Sequence, residues 1–179
     1  MNRKLIALLR GINVGGHHKV PMAELRKEME NLGFSKVVTL LNTGNVIFET
    51  QETTDLETKI EVHLQKVFGF SVPVLLRNFE EIIAMVKSNP FENIEVNENI
   101  RLYVTFLKNE PKNKLNLPYL SKDESFRVIA VRNKIIFSIL DLSKGKTVKG
   151  MDDLGQLFGK EITTRNWNTI IKIENRNRF

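Results

Sequence analysis

The sequence predicts an α+β fold built from two successive units of strands and helices. Short apolar runs of strand length alternate with longer segments in which apolar residues recur every three or four positions. Glycines and asparagines separate many of these segments, as turns require. The chain has 179 residues, 41% hydrophobic and 27% charged, so it can bury one sizeable core or two smaller ones.

The first half of the chain has the order strand, helix, strand, strand, helix, strand. The predicted strands are residues 4–9, 37–41, 46–49 and 72–76, and the predicted helices are residues 21–32 and 54–68. Gly33 and Gly69 end the two helices, and Thr54 opens a capping box that Glu57 completes. This order is that of the ferredoxin-like split β-α-β-β-α-β unit.

The topology of this unit brings two polar loops together. A right-handed crossover makes the first two strands parallel, and the hairpin makes the third strand antiparallel to both. The loop at residues 10–19 and the turn at residues 42–45 are therefore expected on the same edge of the sheet. The glycine and asparagines of the turn suit positive φ angles. We predict that these two loops border the functional site.

The second half is predicted to be a degraded copy of this layout, a β-α-β-β-α unit. Before this second unit, we expect a helix that is capped by Asn78 and Glu81 and ends at Pro90. In the second unit we expect strands at residues 101–107, 126–131 and 135–140, a short helix within 111–120, a helix at 152–158 and a last helix capped by Thr164. The predicted domains are an N-terminal subdomain at 1–90, a connecting segment at 91–99 and a second α+β subdomain at 100–179 that includes the C-terminal helix. The proposed duplication is topological only, because no repeat of residues is recognised in the sequence.

Composition excludes several classes of protein. The chain has no cysteine, which excludes disulfides, thiolate nucleophiles and thiolate zinc sites. No apolar run approaches the roughly 20 residues that cross a bilayer, and Arg10 interrupts the first run too early for a signal peptide. We expect a cytoplasmic protein with no membrane partner.

Charge is distributed unevenly along the chain. Residues 1–100 carry 11 Lys and Arg against 13 Asp and Glu, whereas residues 101–179 carry 16 against 8, and the net charge is +6. A basic half suits an anionic partner such as nucleic acid or a phosphorylated metabolite. The basic residues are scattered, which is also typical of an ordinary solvated surface.

The loop after the first strand contains Gly11, Gly15 and Gly16 but matches neither standard nucleotide-binding motif. The glycine spacing is wrong for the dinucleotide fingerprint, and His17 and His18 stand where a P-loop needs Lys and Ser or Thr. Glycine-rich backbone near the start of a helix still presents N–H groups that can donate hydrogen bonds to an anion. The loop is thus either an anion-binding loop or a purely structural one.

Two features of the second half also bear on phosphate or nucleic-acid binding. The Gly145-Lys146-Thr147 sequence fails the P-loop pattern because Leu140 stands at the first glycine position, so it is a solvated basic loop or a phosphate contact. Tyr103, Phe106 and Phe126 are candidates for base stacking, although strand aromatics usually belong to the core. The RNA-recognition signature is absent.

Candidate catalytic groups are few. His17 and His18 are suited to acid–base chemistry near neutral pH. The sequence around them supplies no partner ligands for a metal, and His63 is expected to pack on the apolar stripe of its helix. No serine has the context of a nucleophile elbow. We predict no metal site and no cofactor, and we assign no catalytic residue.

Four motifs carry a resemblance to a known family. They are Ala-Leu-Leu-Arg-Gly-Ile-Asn-Val-Gly-Gly at 7–16, Lys-Val-Pro-Met-Ala-Glu-Leu at 19–25, Thr-Gly-Asn-Val-Ile-Phe at 43–48 and Thr-Thr-Arg-Asn-Trp-Asn-Thr at 163–169. Over nearly the whole chain they resemble the bacterial domain-of-unknown-function family numbered 1697, which usually has serine where Thr43 stands. The resemblance implies a compact cytoplasmic α+β protein without an established activity. It also connects recurring family motifs with Arg10, Asn13, Gly44, Asn45, Arg165, Asn166 and Trp167.

The leading hypothesis is an anion-binding module for a phosphate-bearing small molecule or nucleic acid. The predicted ligand-binding residues are Arg10, Asn13, Gly15, Gly16, Lys19, Thr43, Asn45, Arg165 and Asn166. One alternative is a small-molecule enzyme that uses His17 or His18 as general acid or base. The other is a structural or oligomerisation domain in which the Arg165-Asn166-Trp167 segment packs structurally. The sequence indicates no particular oligomeric state.

Overall fold

The computed structural model describes residues 2–111 and 115–178, which form nine strands and five α-helices. In chain order these are β1 (Arg3–Leu9), α1 (Met22–Asn31), β2 (Ser35–Leu40), β3 (Asn45–Thr50), α2 (Leu56–Phe68), β4 (Val74–Asn78), α3 (Phe79–Ser88), β5 (Ile100–Leu107), β6 (Tyr119–Leu120), β7 (Phe126–Arg132), β8 (Ile135–Asp141), α4 (Thr147–Phe158), β9 (Ile162–Asn166) and α5 (Trp167–Glu174), followed by a 3-10 helix at Asn175–Arg178. The chain divides into two compact units, one ending at Ala84 and the other beginning at Met85. Within the described ranges, no helix has both the length and the apolar character needed to cross a membrane.

The first unit has the predicted ferredoxin-like topology. Its sheet has the order β2-β3-β1-β4, and each neighbouring pair is antiparallel. β1 and β2 are therefore parallel and lie on either side of β3. The buried faces of α1 and α2, including Leu25, Met29, Ile60 and Leu64, pack with apolar residues of the strands in one core. The apolar spacing that predicts these helices thus coincides with the faces that they bury.

α2 begins without the capping box predicted at Thr54. Its N-cap residue is Asp55, which has a φ of 52° and makes no capping hydrogen bond with its side chain. Glu57 instead accepts a hydrogen bond from the backbone N–H of Leu76 at 2.7 Å, and Glu61 accepts one from Val74 at 2.8 Å. Because β4 lies at the edge of its sheet, these carboxylates satisfy N–H groups on the open side of the strand.

The second unit repeats the strand order of the first. Its antiparallel sheet has the order β6-β7-β8-β5-β9, so that β7-β8-β5-β9 corresponds to β2-β3-β1-β4. The prediction for this unit was incomplete, since it omitted β9. This strand is short and rich in threonine, and pairing with β5 stabilises it where an apolar signal is lacking.

Two further predictions for the second unit were wrong. The strand β6 occupies the end of the segment in which a short helix was expected, and residues 112–114 of that segment lie outside the described chain. α4 begins at Thr147 and not at residue 152. Gly150 weakened the helical pattern, but a Cβ at this position would lie 3.1 Å from Leu140 and 3.3 Å from Phe126, so close packing favours glycine.

Strand register makes the junctions β4–α3 and β9–α5 equivalent. In the first unit Leu5 pairs with Asn78, and in the second Tyr103 pairs with Asn166. Each asparagine is the last residue of its strand and stands directly before a helix. The N–H of Asn78 donates to Glu81 at 3.2 Å, as predicted, and Asn166 accepts from the N–H of Asn168 at 2.9 Å. Asn166, and not Thr164, is therefore the cap of α5.

A repeat of residues accompanies this equivalence. Residues 77–83 read Arg-Asn-Phe-Glu-Glu-Ile-Ile, and residues 165–171 read Arg-Asn-Trp-Asn-Thr-Ile-Ile. The arginine of each copy donates to the carbonyl of the preceding residue, at 2.8 Å in Arg77 and 2.9 Å in Arg165. This repeat is not recognisable from the sequence alone, because a match of seven residues stands out only once the strand register aligns the two copies.

Candidate anion site in the first unit

The loop between β1 and α1 contains a small hairpin. Val14 and His17 form an antiparallel bridge, and the N–H of His17 donates to the carbonyl of Val14 at 3.2 Å. Between them, Gly15 and Gly16 have φ angles of 60° and 79°. Positive φ at both central positions is what a type I′ turn requires, and glycine meets this requirement without strain. The glycines therefore shape the hairpin, and they are exposed at its tip.

Asn13 closes the base of this hairpin. Its Nδ2 donates to the carbonyl of Val20 at 3.0 Å and to that of Asn42 at 2.9 Å, and its Oδ1 accepts from the N–H of Val20 at 2.8 Å. Both amide protons are thus used within the protein. Asn13 contributes to the site mainly by joining the β1–α1 loop to the β2–β3 turn.

The β2–β3 turn lies beside the β1–α1 loop, as the topology predicts. The N–H of Leu9 donates to the carbonyl of Gly44 at 2.8 Å. Asn45 is fully buried, and its Nδ2 donates to the carbonyl of Leu40 and to the hydroxyl of Thr43, both at 3.0 Å. Asn45 therefore holds the turn closed, and the exposed Thr43 takes part in the same hydrogen bonds.

In this turn the glycine takes the positive φ that glycine and asparagine both tolerate, and the asparagines do not. The positive angles belong to Leu41, at 57°, and to Gly44, at 72°. Asn45 is already the first residue of β3 and pairs with Leu8. The asparagines act through side-chain or backbone hydrogen bonds in this turn, and Leu41 takes the left-handed conformation with its side chain 44% exposed.

A cavity of about 380 Å³ lies between these two loops and the start of α1. Its lining comprises Asn13, Gly16, His17, Lys19, Val20, Pro21, Met22 and Asn42. Three of the predicted ligand-binding residues, Asn13, Gly16 and Lys19, are among them. The volume lies within the range of small-molecule sites, about 300–1,000 Å³.

The basic residues of the loop differ in their surroundings. Lys19 lines the cavity, is exposed, and has no hydrogen-bond or ion-pair partner among the described residues. Arg10 is exposed at the end of β1, where its backbone N–H donates to the carbonyl of Pro73 at 2.9 Å. Arg10 is not part of the cavity lining. Lys19 is therefore the cation best placed to meet an anion in the cavity.

The two histidines also have different roles. His17 lines the cavity, and its imidazole has no hydrogen-bond partner within the described chain. His18 stacks on Phe70 with ring centroids 4.4 Å apart, and its Nδ1 lies 3.2 Å from the carbonyl oxygen of Gly11. His63, expected on an apolar stripe, lies 2.7 Å from Glu28 through its Nε2. No group of three or more potential metal ligands is assembled in the described ranges.

Arg165 and Asn166 belong to the second unit. Arg165 is buried, and its Nη1 donates to the hydroxyl of Thr163 at 2.8 Å as well as to the carbonyl of Thr164. Burial lowers the pKa of the Arg165 guanidinium to about 10. Asn166 uses its side-chain oxygen to cap α5. Both side chains serve the strand–helix junction that is repeated at Arg77 and Asn78.

Two lysines, one in the loop before α4 and one in its first turn, are paired with carboxylates. Lys144 lies 3.2 Å from Glu124, and Lys149 forms an ion pair with Asp123. Hydrogen bonds from Lys149 and from the hydroxyl of Ser121 hold the pKa of Asp123 well below its usual range. These two lysines are thus already paired with carboxylates of the same unit.

The aromatic residues considered for base stacking are mostly inaccessible. Phe106 and Phe126 are fully buried, and the partly buried Tyr103 packs against the core that includes Phe126. In the first unit, Ile6, Leu8 and Ile47 are also buried, although they alternate along their strands with the residues that face α1 and α2. Neither observation favours a sheet face that stacks nucleic-acid bases.

Four lining residues were not predicted from the sequence as site residues, namely Val20, Pro21, Met22 and Asn42. Pro21 was predicted only as the start of a helix. Val20 and Met22 read as ordinary core residues at a helix start, and nothing in their spacing indicates a cavity. Asn42 belongs to the turn that was predicted to lie beside the β1–α1 loop, and that topology was the signal that could have identified it.

The topology and the site define an α+β protein of two units with the same strand order, in which the first unit carries a loop-bordered cavity. Residues 1–137 match the family described as "Protein of unknown function (DUF1697)", and the chain belongs to this family. The resemblance stated from the four motifs is thereby confirmed. The chain is also similar to a solved structure, that of the conserved bacterial protein SP0830 from Streptococcus pneumoniae, with 27% identity, a TM-score of 0.75 and 98% of each chain covered. The comparison with curated proteins finds no match.

Proposed function

We propose that the first unit is an anion-binding module that holds a phosphate-bearing ligand, either a small molecule or part of a nucleic acid, in the cavity between the β1–α1 loop and the β2–β3 turn. The observation that carries this proposal is Lys19, an exposed cation on the cavity wall with no partner among the described residues. An ammonium group in this setting attracts a phosphate without first breaking an internal ion pair.

The loop geometry supports the proposal. Asn13 and Asn45 hold the two loops in place through internal hydrogen bonds, so the cavity is formed before a ligand arrives. Gly16 contributes backbone to the lining, and His17 adds an imidazole that becomes a second cation when it is protonated. We leave Arg165 and Asn166 out of the proposed site, since both serve the β9–α5 junction.

Thermal unfolding of the full chain with phosphate-containing ligands tests the proposal. A panel of nucleotides, RNA and DNA is suitable, because a ligand at 100 times its dissociation constant stabilises the folded state by about 2.7 kcal/mol. Lys19→Gln should abolish the rise in melting temperature and leave the unliganded protein as stable as before. Lys66→Gln, an exposed residue of α2 outside the lining, is the matched control and should respond like the wild type.

The proposal fails if no member of the panel raises the melting temperature. It also fails if Lys19→Gln and Lys66→Gln respond alike, since the ligand would then bind elsewhere. Lower salt should strengthen the effect, because surface ion pairing is screened over about 10 Å at 0.1 M ionic strength.

One observation favours the enzymatic alternative, namely that His17 lines the cavity. A general acid or base is usually oriented by a second group, and the described residues supply no such group to this imidazole. Anion binding therefore remains the better supported function of this site. His18 is less suited to either role, because its ring already stacks on Phe70.

A further inference from the structure

The chemistry of the cavity lining narrows the class of ligand, on the condition that the proposed function holds. We propose that the ligand is a small organic phosphate, whose phosphate meets Lys19 and whose apolar group packs on Pro21 and Met22. This excludes inorganic phosphate as the preferred ligand, and it excludes a nucleic-acid polymer.

The size of the cavity supports an organic ligand. A volume of about 380 Å³ exceeds what a single phosphate group fills, so the remainder must hold another part of the ligand or water. Three consecutive lining residues are apolar. Val20 is buried in the core, whereas Pro21 is exposed and Met22 is half-buried, so Pro21 and Met22 offer the apolar surface to a ligand. An apolar group that covers them is removed from water, which raises affinity by about fourfold for each buried methylene.

The distribution of charge argues against a polymer. Lys19 and His17 are the basic residues of the lining, which suits one phosphate group better than a row of phosphates. A nucleic acid held by its backbone needs several such contacts, together with exposed aromatic rings for its bases. Phe106 and Phe126 are fully buried, and Phe70, near the loop, is covered on one face by His18.

A series of alkyl phosphates tests the inference by calorimetry on the full chain. The probes are inorganic phosphate, methyl phosphate, ethyl phosphate and butyl phosphate, with a single-stranded oligonucleotide as the polymer. We expect affinity to rise by about fourfold for each added methylene, and the oligonucleotide to bind no more tightly than inorganic phosphate.

Two variants separate the apolar contact from the charge. Pro21→Ser removes an apolar ring at the N-cap of α1, where serine is a favoured residue, so the fold is retained. This variant should flatten the dependence of affinity on the length of the alkyl chain. Lys19→Gln should weaken every phosphate by the same factor and leave the slope of the series as it was.

Each contrary result has a distinct meaning. Equal affinities for inorganic and butyl phosphate would overturn the organic ligand and leave the anion site intact. Tighter binding of the oligonucleotide, with a steep dependence on salt, would overturn the inference in favour of a polymer. If affinity rises with alkyl chain length as steeply in Pro21→Ser as in the wild type, the assigned apolar contact is wrong. If no phosphate binds at all, the proposed function falls and this inference falls with it.

Discussion

The geometry of the candidate site depends on glycine, which has no side chain, at position 44. Its φ is 72°, and a Cβ here would lie 2.7 Å from the Cβ of Leu9 and 2.8 Å from Cδ1 of Ile12. The Cβ of Leu9 is attached directly to the backbone of β1, so it cannot move away unless the strand itself moves. The carbonyl of Gly44 also accepts the hydrogen bond from Leu9 that joins the turn to the end of β1.

Gly44→Ala should therefore destabilise the protein strongly. The left-handed conformation costs alanine about 1–2 kcal/mol, and the overlap adds about 1–3 kcal/mol. Gly16→Ala is the matched control, since its φ is 79° but nothing lies within 4 Å of the added Cβ. Urea unfolding should show the larger loss for Gly44→Ala, and equal losses would show that the turn relaxes around the methyl group.

Part of the geometry around Gly44 was predicted from residue types alone. The sequence places Gly44 and Asn45 in a turn and identifies both as residues that turns favour. It does not reveal that Leu9 and Ile12 approach Gly44, because those contacts span more than 30 positions of the chain. Lys19 was predicted as a ligand residue from its place in a polar loop. That it has no partner among the residues the structure describes is a property of the folded unit.

At the scale of elements, α2 protects the edge of the first sheet. Glu57 and Glu61 accept hydrogen bonds from the N–H groups of Leu76 and Val74 on β4. Unpaired N–H groups at a sheet edge are a template for association with another chain. The carboxylates therefore replace the neighbouring strand that β4 lacks on that side.

Glu57→Ala should destabilise the protein by about 1–3 kcal/mol, because it leaves the partly buried N–H of Leu76 without an acceptor. Glu57→Gln keeps a side-chain oxygen at that place and should recover most of the loss. Gln65→Ala, an exposed position of the same helix, controls for the change to alanine. Equal losses for the two Glu57 variants in urea unfolding would show that the charge, and not the acceptor, matters.

The contact between α1 and α2 depends on pH. Hydrogen bonds from His63 and Asn31 hold the pKa of Glu28 below its ordinary value of 4.5. The folded protein thus binds this proton less readily than the unfolded chain does. The stabilisation is complete above the ordinary pKa and is lost as the pH falls through the lower pKa of the folded state.

Comparison of the wild type with Glu28→Gln across pH tests this dependence. The difference in melting temperature should be largest from neutral pH down to about pH 5, and it should shrink as the pH falls further. Glu24→Gln, an exposed position on α1, should show no such trend. A difference that stays constant down to pH 3 would contradict the role of the Glu28 carboxylate.

Element prediction succeeded where apolar periodicity was strong. The strands and helices of the first unit follow from their spacing, and so does the hairpin of β7 and β8 around Asn133 and Lys134, whose φ angles are 50° and 61°. β9 was missed because its threonines and its buried arginine resemble a polar loop until β5 pairs with them. Local sequence carries the pattern of a strand only when that strand has one clearly apolar face.

At the scale of the whole molecule, the two units share a strand order and a strand–helix junction. Arg77 and Arg165 occupy equivalent positions and make the same bond to the preceding carbonyl. The simplest account of a shared motif at equivalent positions is a common structural role. The Arg165-Asn166-Trp167 segment is thus better explained by the junction than by a ligand.

Arg77→Ala and Arg165→Ala should both lower stability, by about 1–3 kcal/mol, because each removes hydrogen bonds at a strand–helix junction. Arg165→Ala should leave the thermal response to a phosphate ligand unchanged, since the proposed cavity is lined by residues of the first unit. Melting curves with and without ligand measure both effects. If a folded Arg165→Ala protein no longer responds to the ligand, Arg165 belongs to the ligand-binding site.

The sequence by itself determined the α+β class, the ferredoxin-like first unit, the family and the meeting of two polar loops at one sheet edge. These features depend on local periodicity, turn residues and the handedness of crossovers, all of which act over short stretches of chain. Only the tertiary structure decided that Asn13 and Asn45 are internal clamps, that Arg165 is buried, that β9 completes the second sheet and that Lys19 borders a cavity. Those outcomes depend on which groups find partners far away in the chain, and no local pattern specifies them.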